Sequence, residues 1–207
     1  MIFDMVTVGN MMTNCYLVAD ENTNEGIVID PGGEPEKILD MVGRAGVKIK
    51  YIVLTHGHYD HCGALEEVKR KTGCNTVVMN RLDEAMLEDP GSNLSLLLVG
   101  QEVSQKADKY VEGGDIISIG GIDITIRNTP GHTPGSISLI FDGKCICGDA
   151  LFAGSVGRTD FPGGSPDALK STIDSVFKKL PDEMEVWPGH GPSTNIGRER
   201  RRNPFMK

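Results

Sequence analysis

Ile49-Lys50-Tyr51-Ile52-Val53-Leu54 leads directly into Thr55-His56-Gly57-His58-Tyr59-Asp60-His61, and the fold is read from that junction. After Lys50 the first segment is a continuous apolar run, the pattern of a strand covered on both faces. The second carries four metal-ligand side chains, His56, His58, Asp60 and His61, with Gly57 lending backbone freedom between the first two. Gly63 to Lys71 then resumes a helical period with Leu65 and Val68 inward. Strand, ligand loop and helix in that order place the ligands beyond the carboxyl end of a strand, where open α/β sheets keep their sites. Only five histidines occur in 207 residues, and the two outside this stretch, His132 and His190, each follow a Pro-Gly pair, as a ligand presented from a tight loop does.

Outward from the junction the pattern is regular. Towards the N-terminus, residues 1 to 8, Cys15 to Ala19 and Gly26 to Asp30 read as strands, and Pro35 to Ala45 as a helix stopped at Gly46. Beyond it, Thr76 to Met79 is a strand, followed by a segment from 81 to 114 with a helical turn at Leu82 to Leu87 and no clear period after it, in the manner of a lid or a peripheral helix pair. Strands return at 116 to 119, 122 to 126, 136 to 141 and 144 to 147. A helix fits Asp167 to Lys179 and a last strand Glu185 to Trp187. Both halves run strands and then a helix with no linker between them, which predicts one domain over 1–207 built as two sheets face to face with helices outside.

Composition narrows the function. A formal charge of −8 excludes a nucleic-acid backbone as the default partner and leaves a small molecule. No window reaches about 18 uninterrupted apolar residues, so no membrane span is expected. The first residues lack a signal-peptide pattern, and the five cysteines are an odd number, which together predict a cytoplasmic protein with reduced thiols. Cys145 and Cys147 alternate along a strand and read as small hydrophobes rather than a metal pair.

Four ligands within six residues are too many for one tetrahedral ion that keeps an open position, so two metals are the simpler solution. His132, Asp149 and His190, each at a separate strand end, are the remaining candidates, and a carboxylate is the natural bridge because it offers two equivalent oxygens. Histidine and aspartate suit zinc, iron and manganese alike; zinc is the first expectation.

His56, His58, Asp60 and His61 match the His-x-His-x-Asp-His motif of the metallo-β-lactamase superfamily, and His132, Asp149 and His190 match its later ligand positions in order. The chain is similar to that superfamily over essentially its whole length. The resemblance implies an αββα four-layer sandwich of two mixed β-sheets. It also implies a first metal on His56, His58 and His132, a second on Asp60, His61 and His190, and Asp149 bridging them. Asp30 falls where the family often keeps a carboxylate that orients a ligand histidine. Within the superfamily, Thr13-Asn14-Cys15-Tyr16, Gly148-Asp149-Ala150-Leu151-Phe152, Gly157-Arg158-Thr159-Asp160 and Gly189-His190-Gly191-Pro192 resemble glyoxalase II and its short bacterial relatives. Such enzymes hydrolyse glutathione thioesters, and Arg158 resembles a basic position that contacts the glutathione moiety. Full-length glyoxalase II carries a helical substrate domain after the last ligand, where this sequence has residues 191–207.

The expected reaction is attack of a metal-bound hydroxide, formed because a bound water's pKa falls to about 7, on a thioester such as S-D-lactoylglutathione, with Asp60 as ligand and orienter. A thiol of pKa about 8.5 leaves without acid help, whereas an amide nitrogen needs a proton that no surplus histidine can give. The alternative is a mononuclear iron persulfide dioxygenase, since that branch shares the motif and a Gly157-to-Phe161-like run. Arg198 to Arg202 form a basic tail that complements the end of a last helix.

Overall fold

The computed structural model describes residues 1–207. Strands β1 (Ile2–Val8), β2 (Thr13–Asp20), β3 (Glu25–Ile29), β4 (Lys48–Val53), β5 (Val77–Met79) and β6 (Lys109–Tyr110) form one sheet in chain order. Its first three strands are antiparallel and the last four run parallel, so the sheet is mixed. The second sheet has the order β14-β13-β10-β9-β8-β7, from β7 (Ile116–Ile119), β8 (Ile122–Asn128), β9 (Ile137–Phe141), β10 (Lys144–Gly148), β13 (Glu185–Pro188) and β14 (Thr194–Asn195). It is antiparallel except where β10 and β13 pair in parallel. A short hairpin of β11 (Leu151–Phe152) and β12 (Ser155–Val156) stands apart from both.

The layering follows from side-chain alternation, since successive residues of a strand face opposite sides. In β2, Cys15 and Leu17 enter an outer core with Ile38, Met41, Leu65 and Val68, while Tyr16 and Val18 turn to an inner core. In β10, Ile146 belongs to that inner core with Ile27, Ile124 and Leu139, while Cys145 and Cys147 enter a second outer core with Leu169, Ile173 and Phe177. Three cores separate four layers: helices, sheet, sheet, helices. The fold is the αββα sandwich of two mixed sheets. All five cysteines are buried free thiols, and burial pushes Cys145 up to about 12, as a small hydrophobe.

Outside the first sheet lie α1 (Pro35–Ala45), opened by Pro35 and closed by Gly46 at φ 66°, and α3 (Leu65–Thr72). Outside the second lie α6 (Pro166–Ser175) and α7 (Ile196–Arg202). The predicted helix over 167–179 is shorter than expected: it ends at Ser175 and tightens into a 3-10 turn at Phe177–Lys179, which puts the Phe177 ring wholly inside the outer core. Residues 81–114 hold a 3-10 turn, two short helices, α4 (Glu84–Glu88) and α5 (Ser95–Val99), and then β6. No helix is long and apolar enough to cross a membrane.

Candidate metal centre

All the ligand candidates emerge at one end of the two sheets. β4 ends at Val53, and His56 and His58 follow in the loop, but Asp60 and His61 are not loop residues. They lie in a helical turn, α2 (Tyr59–Cys62), which rotates them away from the first pair. His132 comes from the β8–β9 connection, Asp149 follows β10 and His190 follows β13. Thus the first sheet delivers four donors and the second delivers three.

The donors meet in two sets. His56 Nε2 lies 3.1 Å from His58 Nδ1, which lies 2.9 Å from His132 Nε2. Opposite, His190 Nε2 is 3.3 Å from His61 Nε2 and 3.1 Å from Asp60 Oδ2. Asp149 stands between the sets: its Oδ2 is 3.7 Å from His132 Nε2 and 3.4 Å from His190 Nε2, and its Oδ1 is 3.4 Å from His61 Nε2.

Three of the imidazoles are aimed from behind. His61 Nδ1 donates to Asp30 Oδ2 over 2.9 Å, and Asp30 is itself fixed by the Thr55 N–H (2.8 Å) and hydroxyl (2.7 Å). Asp30 is fully buried and held at φ 54°, a conformation that aspartate tolerates better than most side chains. His132 Nδ1 donates to the Arg158 carbonyl (2.8 Å) and His190 Nδ1 to the Met11 carbonyl (3.0 Å). With Nδ1 engaged in this way, Nε2 of all three is the nitrogen turned towards the centre.

The electrostatics fit a cation. Burial, with the neighbouring histidines, holds His56 well below its ordinary pKa and His58 at about 3, so both are neutral, the form that binds metal. Burial also opposes charge on His61 and His190. Carboxylates overcome it in both: Asp60, Asp149 and Asp30 raise His61, and Asp149 and Asp60 bring His190 to about 9. Asp149, despite its own burial, is held well below the usual carboxylate range, first by His61. Three carboxylates, Asp30 buried and Asp60 and Asp149 partly so, thus demand positive charge on this side of the site. His58 Nε2 and Asp149 Oδ1 are buried without a hydrogen-bond partner. Neutral His56 and His58 on one side, and carboxylates that draw positive charge onto His61 and His190 on the other, fit divalent cations, and these oxygen and nitrogen donors do not distinguish zinc from iron or manganese.

Three supporting residues were not singled out from the sequence. Asp83, fully buried, accepts from the Gly57 N–H (3.1 Å), the Thr133 hydroxyl (2.7 Å) and the Gly135 N–H (2.6 Å), tying the His56–His58 loop to the His132 loop. Asn14 donates its amide to the carbonyls of Pro188 (3.0 Å) and Gly191 (2.9 Å), bracketing His190. Gly189 has no room for a Cβ, which would strike Asp149 Oδ1 and His61 Cε1. The reason for Gly57 also differs from the expectation: its φ is not positive, and what it provides is space, since a Cβ would sit 3.2 Å from the Asp83 carbonyl and from Met86.

Above the donors opens a cavity of about 650 Å³ whose lining includes Met11, Leu94, Leu97, Leu98, Phe152 and Phe161. Arg158 borders it too, but its guanidinium grips Asp160 through two bonds of 2.7 and 2.6 Å and lies 3.8 Å over the Phe161 ring. Arg200 in α7 pairs with Asp182 and the carbonyls of Lys178 and Leu180, so that part of the basic tail is spent on the fold, away from the donors.

Comparison with known proteins places this geometry. The family model described as Metallo-beta-lactamase superfamily matches residues 8–190. Hydroxyacylglutathione hydrolase GloC of Haemophilus influenzae is 34% identical over 209 residues, covering 100% of this chain and 98% of that protein. The crystal structure of BLEG-1 B3 metallo-beta-lactamase superposes with a TM-score of 0.93 at 33% identity, over 100% of both chains. TTHA1623, solved in a di-iron-bound form, superposes with a TM-score of 0.83 at 35% identity, over 98% of this chain and 99% of its own.

Proposed function

The chain belongs to the metallo-beta-lactamase superfamily, and from that premise we propose that it is a dinuclear metal hydrolase that cleaves a thioester, with hydroxyacylglutathiones such as S-D-lactoylglutathione as the first substrates to test. The observation that carries the reading is the division of seven donors into two facing sets with Asp149 between them. His56, His58 and His132 would hold one ion, Asp60, His61 and His190 the other, with Asp149 reaching both. The di-iron-bound relative supports two ions, and the GloC relative supports the thioester.

Metals bound there supply Lewis acidity and lower the pKa of coordinated water towards 7. The protein's own groups do the rest. Asp60 is held below its ordinary pKa despite burial, chiefly by His61 and His190, and is ionised at neutral pH. Thr13 lies 3.4 Å from its Oδ2 and fixes the carboxylate at the cavity floor, where it orients the attacking water. Asp30 keeps Nδ1 of His61 protonated, so that Nε2 stays a donor. The leaving thiolate, with a parent pKa of about 8.5, needs no acid, and none is free at the cavity, since all five histidines lie in the donor cluster.

The likeness to a B3 metallo-beta-lactamase favours a second reading, cleavage of a β-lactam amide, which the same donors could serve if the nitrogen found a proton elsewhere. The test is metal content per chain together with anaerobic assays of S-D-lactoylglutathione and a chromogenic cephalosporin. About two metals and loss of the thioester absorbance without oxygen are expected. Cephalosporin cleavage alone would replace the thioester with the lactam. One iron per chain, no cleavage of either substrate, and oxygen uptake with glutathione persulfide would refute hydrolysis altogether.

A further inference from the structure

The cavity over the donors is apolar where an anionic substrate would need cations. Among its lining residues Arg158 is the only lysine or arginine, and the Nε and Nη2 side of its guanidinium is already committed to Asp160. Arg158 and Phe161 mark one edge, beside the His58 ring, whose centroid lies 5.9 Å from that of Phe161. The other edge, past Asp60, is Met11, Leu97 and Leu98, and it continues into a further cavity of about 190 Å³ that shares Met11, Asp60 and Leu98 and adds Val99. These side chains are not core residues. Leu97 is 70% exposed and Met11 51%, and Leu96 and Val99 beside them are exposed as well. An apolar surface left open to water and continuous with the cavity over the donors suits the apolar part of a ligand bound there.

We propose that the site selects thioesters whose acyl group is an unbranched hydrocarbon chain, laid from the donors across Met11, Leu97 and Leu98, over thioesters of small hydroxy acids. The thiol half, with whatever charge it carries, is left the Arg158 edge. The inference rests on the thioester reading and changes only the acyl group. Each methylene that moves from water onto this wall strengthens transition-state binding roughly three- to fourfold, until the chain outruns the wall.

Two measurements separate this inference from the reading beneath it. The metal-loaded protein is assayed with acetyl-, butanoyl-, hexanoyl- and D-lactoylglutathione, all sharing one thiol. In parallel, S-hexylglutathione and S-methylglutathione, thioethers that cannot be hydrolysed, are titrated calorimetrically. The expected result is kcat/KM rising roughly three- to fourfold per methylene from acetyl to hexanoyl, with lactoyl at the low end. The hexyl thioether should bind at least on the order of a hundredfold tighter than the methyl one. Leu97→Asp, at a position exposed enough to leave folding alone, should shrink both preferences. A flat or falling acyl series, or a preference that Leu97→Asp leaves intact, overturns the inference while the hydrolase stands. A hexyl preference without cleavage of any thioester overturns the hydrolase reading and leaves the apolar wall.

Discussion

Asp83→Asn replaces one oxygen of a buried carboxylate and changes nothing in size. In the native protein Oδ2 accepts from Gly57 N–H and the Thr133 hydroxyl, and Oδ1 from Gly135 N–H. The asparagine can keep its oxygen on the Gly57 and Thr133 side only by turning an NH₂ against the Gly135 N–H. One hydrogen bond to a charged acceptor, worth about 1.5–3 kcal/mol, is lost, and a buried donor faces another donor. The expected destabilisation of the metal-free protein is about 2–4 kcal/mol, read as a shift in the urea midpoint at constant slope. Because Gly57 and Thr133 are the sequence neighbours of His56, His58 and His132, the variant should also loosen the first donor set. Loss of a supporting group typically costs about 10- to 100-fold in metal affinity, and here the loss should fall on one of two sites in a competition titration, leaving the Asp60–His61–His190 set near its native value. Equal weakening of both sites, or a stability loss with both affinities intact, would refute the idea that Asp83 registers the two loops on the metal.

Three further outcomes follow from the same geometry. Gly189→Ala places a methyl against Asp149 Oδ1 and His61, so it should abolish metal binding by the second set while far-ultraviolet circular dichroism stays native; normal metal content would contradict the close approach. His190, raised from 6.5 to about 9, stabilises the metal-free fold fully below pH 6.5 and ceases to do so as pH rises through about 9. Metal-free stability should therefore fall between these values while affinity of the second set rises at least tenfold per pH unit, one displaced proton's worth; a flat affinity in that window contradicts the proton's place on His190. Chelation should remove about 2.7 kcal/mol for each site that was held at a hundred times its Kd, lowering Tm by roughly 5–10 °C per site; an unchanged Tm would mean that the donors are preformed without need of an ion.

The strands buried on both faces are legible as continuous apolar runs because each must satisfy two cores at once, as β2 and β10 do. What escaped notice was too short to show a period. β6, β11, β12 and β14 have two residues each, and exist because neighbouring strands or turns offer them hydrogen bonds. The ligand stretch was read as a loop, but α2 is a single turn that no local propensity announces, held by Tyr59 N–H to the Asn93 carbonyl (2.8 Å) and by the buried His61 and Cys62. Convergence of the seven donors followed from their chemistry: histidines beside Pro-Gly turns at strand ends have few other uses. Asp83 did not follow, because it sits in the stretch without period, and a lone aspartate near an Asn-Arg-Leu turn looks like a solvated cap until its three partners, up to 52 residues away, are seen. Asn14 carries no local signal of its own; its use, a pair of carbonyls more than 170 residues on, is invisible along the chain.

The split of donors between the sheets has a consequence for how the protein is made. His61 and His190, whose Nε2 atoms end 3.3 Å apart, are 129 residues apart in the chain. At ribosomal speeds of about 5–20 residues per second, His56, His58, Asp60 and His61 exist for on the order of ten seconds before their last partner is synthesised. In that interval the nascent chain offers incoming ions a partial set, and the completed geometry can select among them only once β13 has docked. The geometry able to discriminate between ions would thus be complete only at the end of translation, when the second sheet has delivered its three donors.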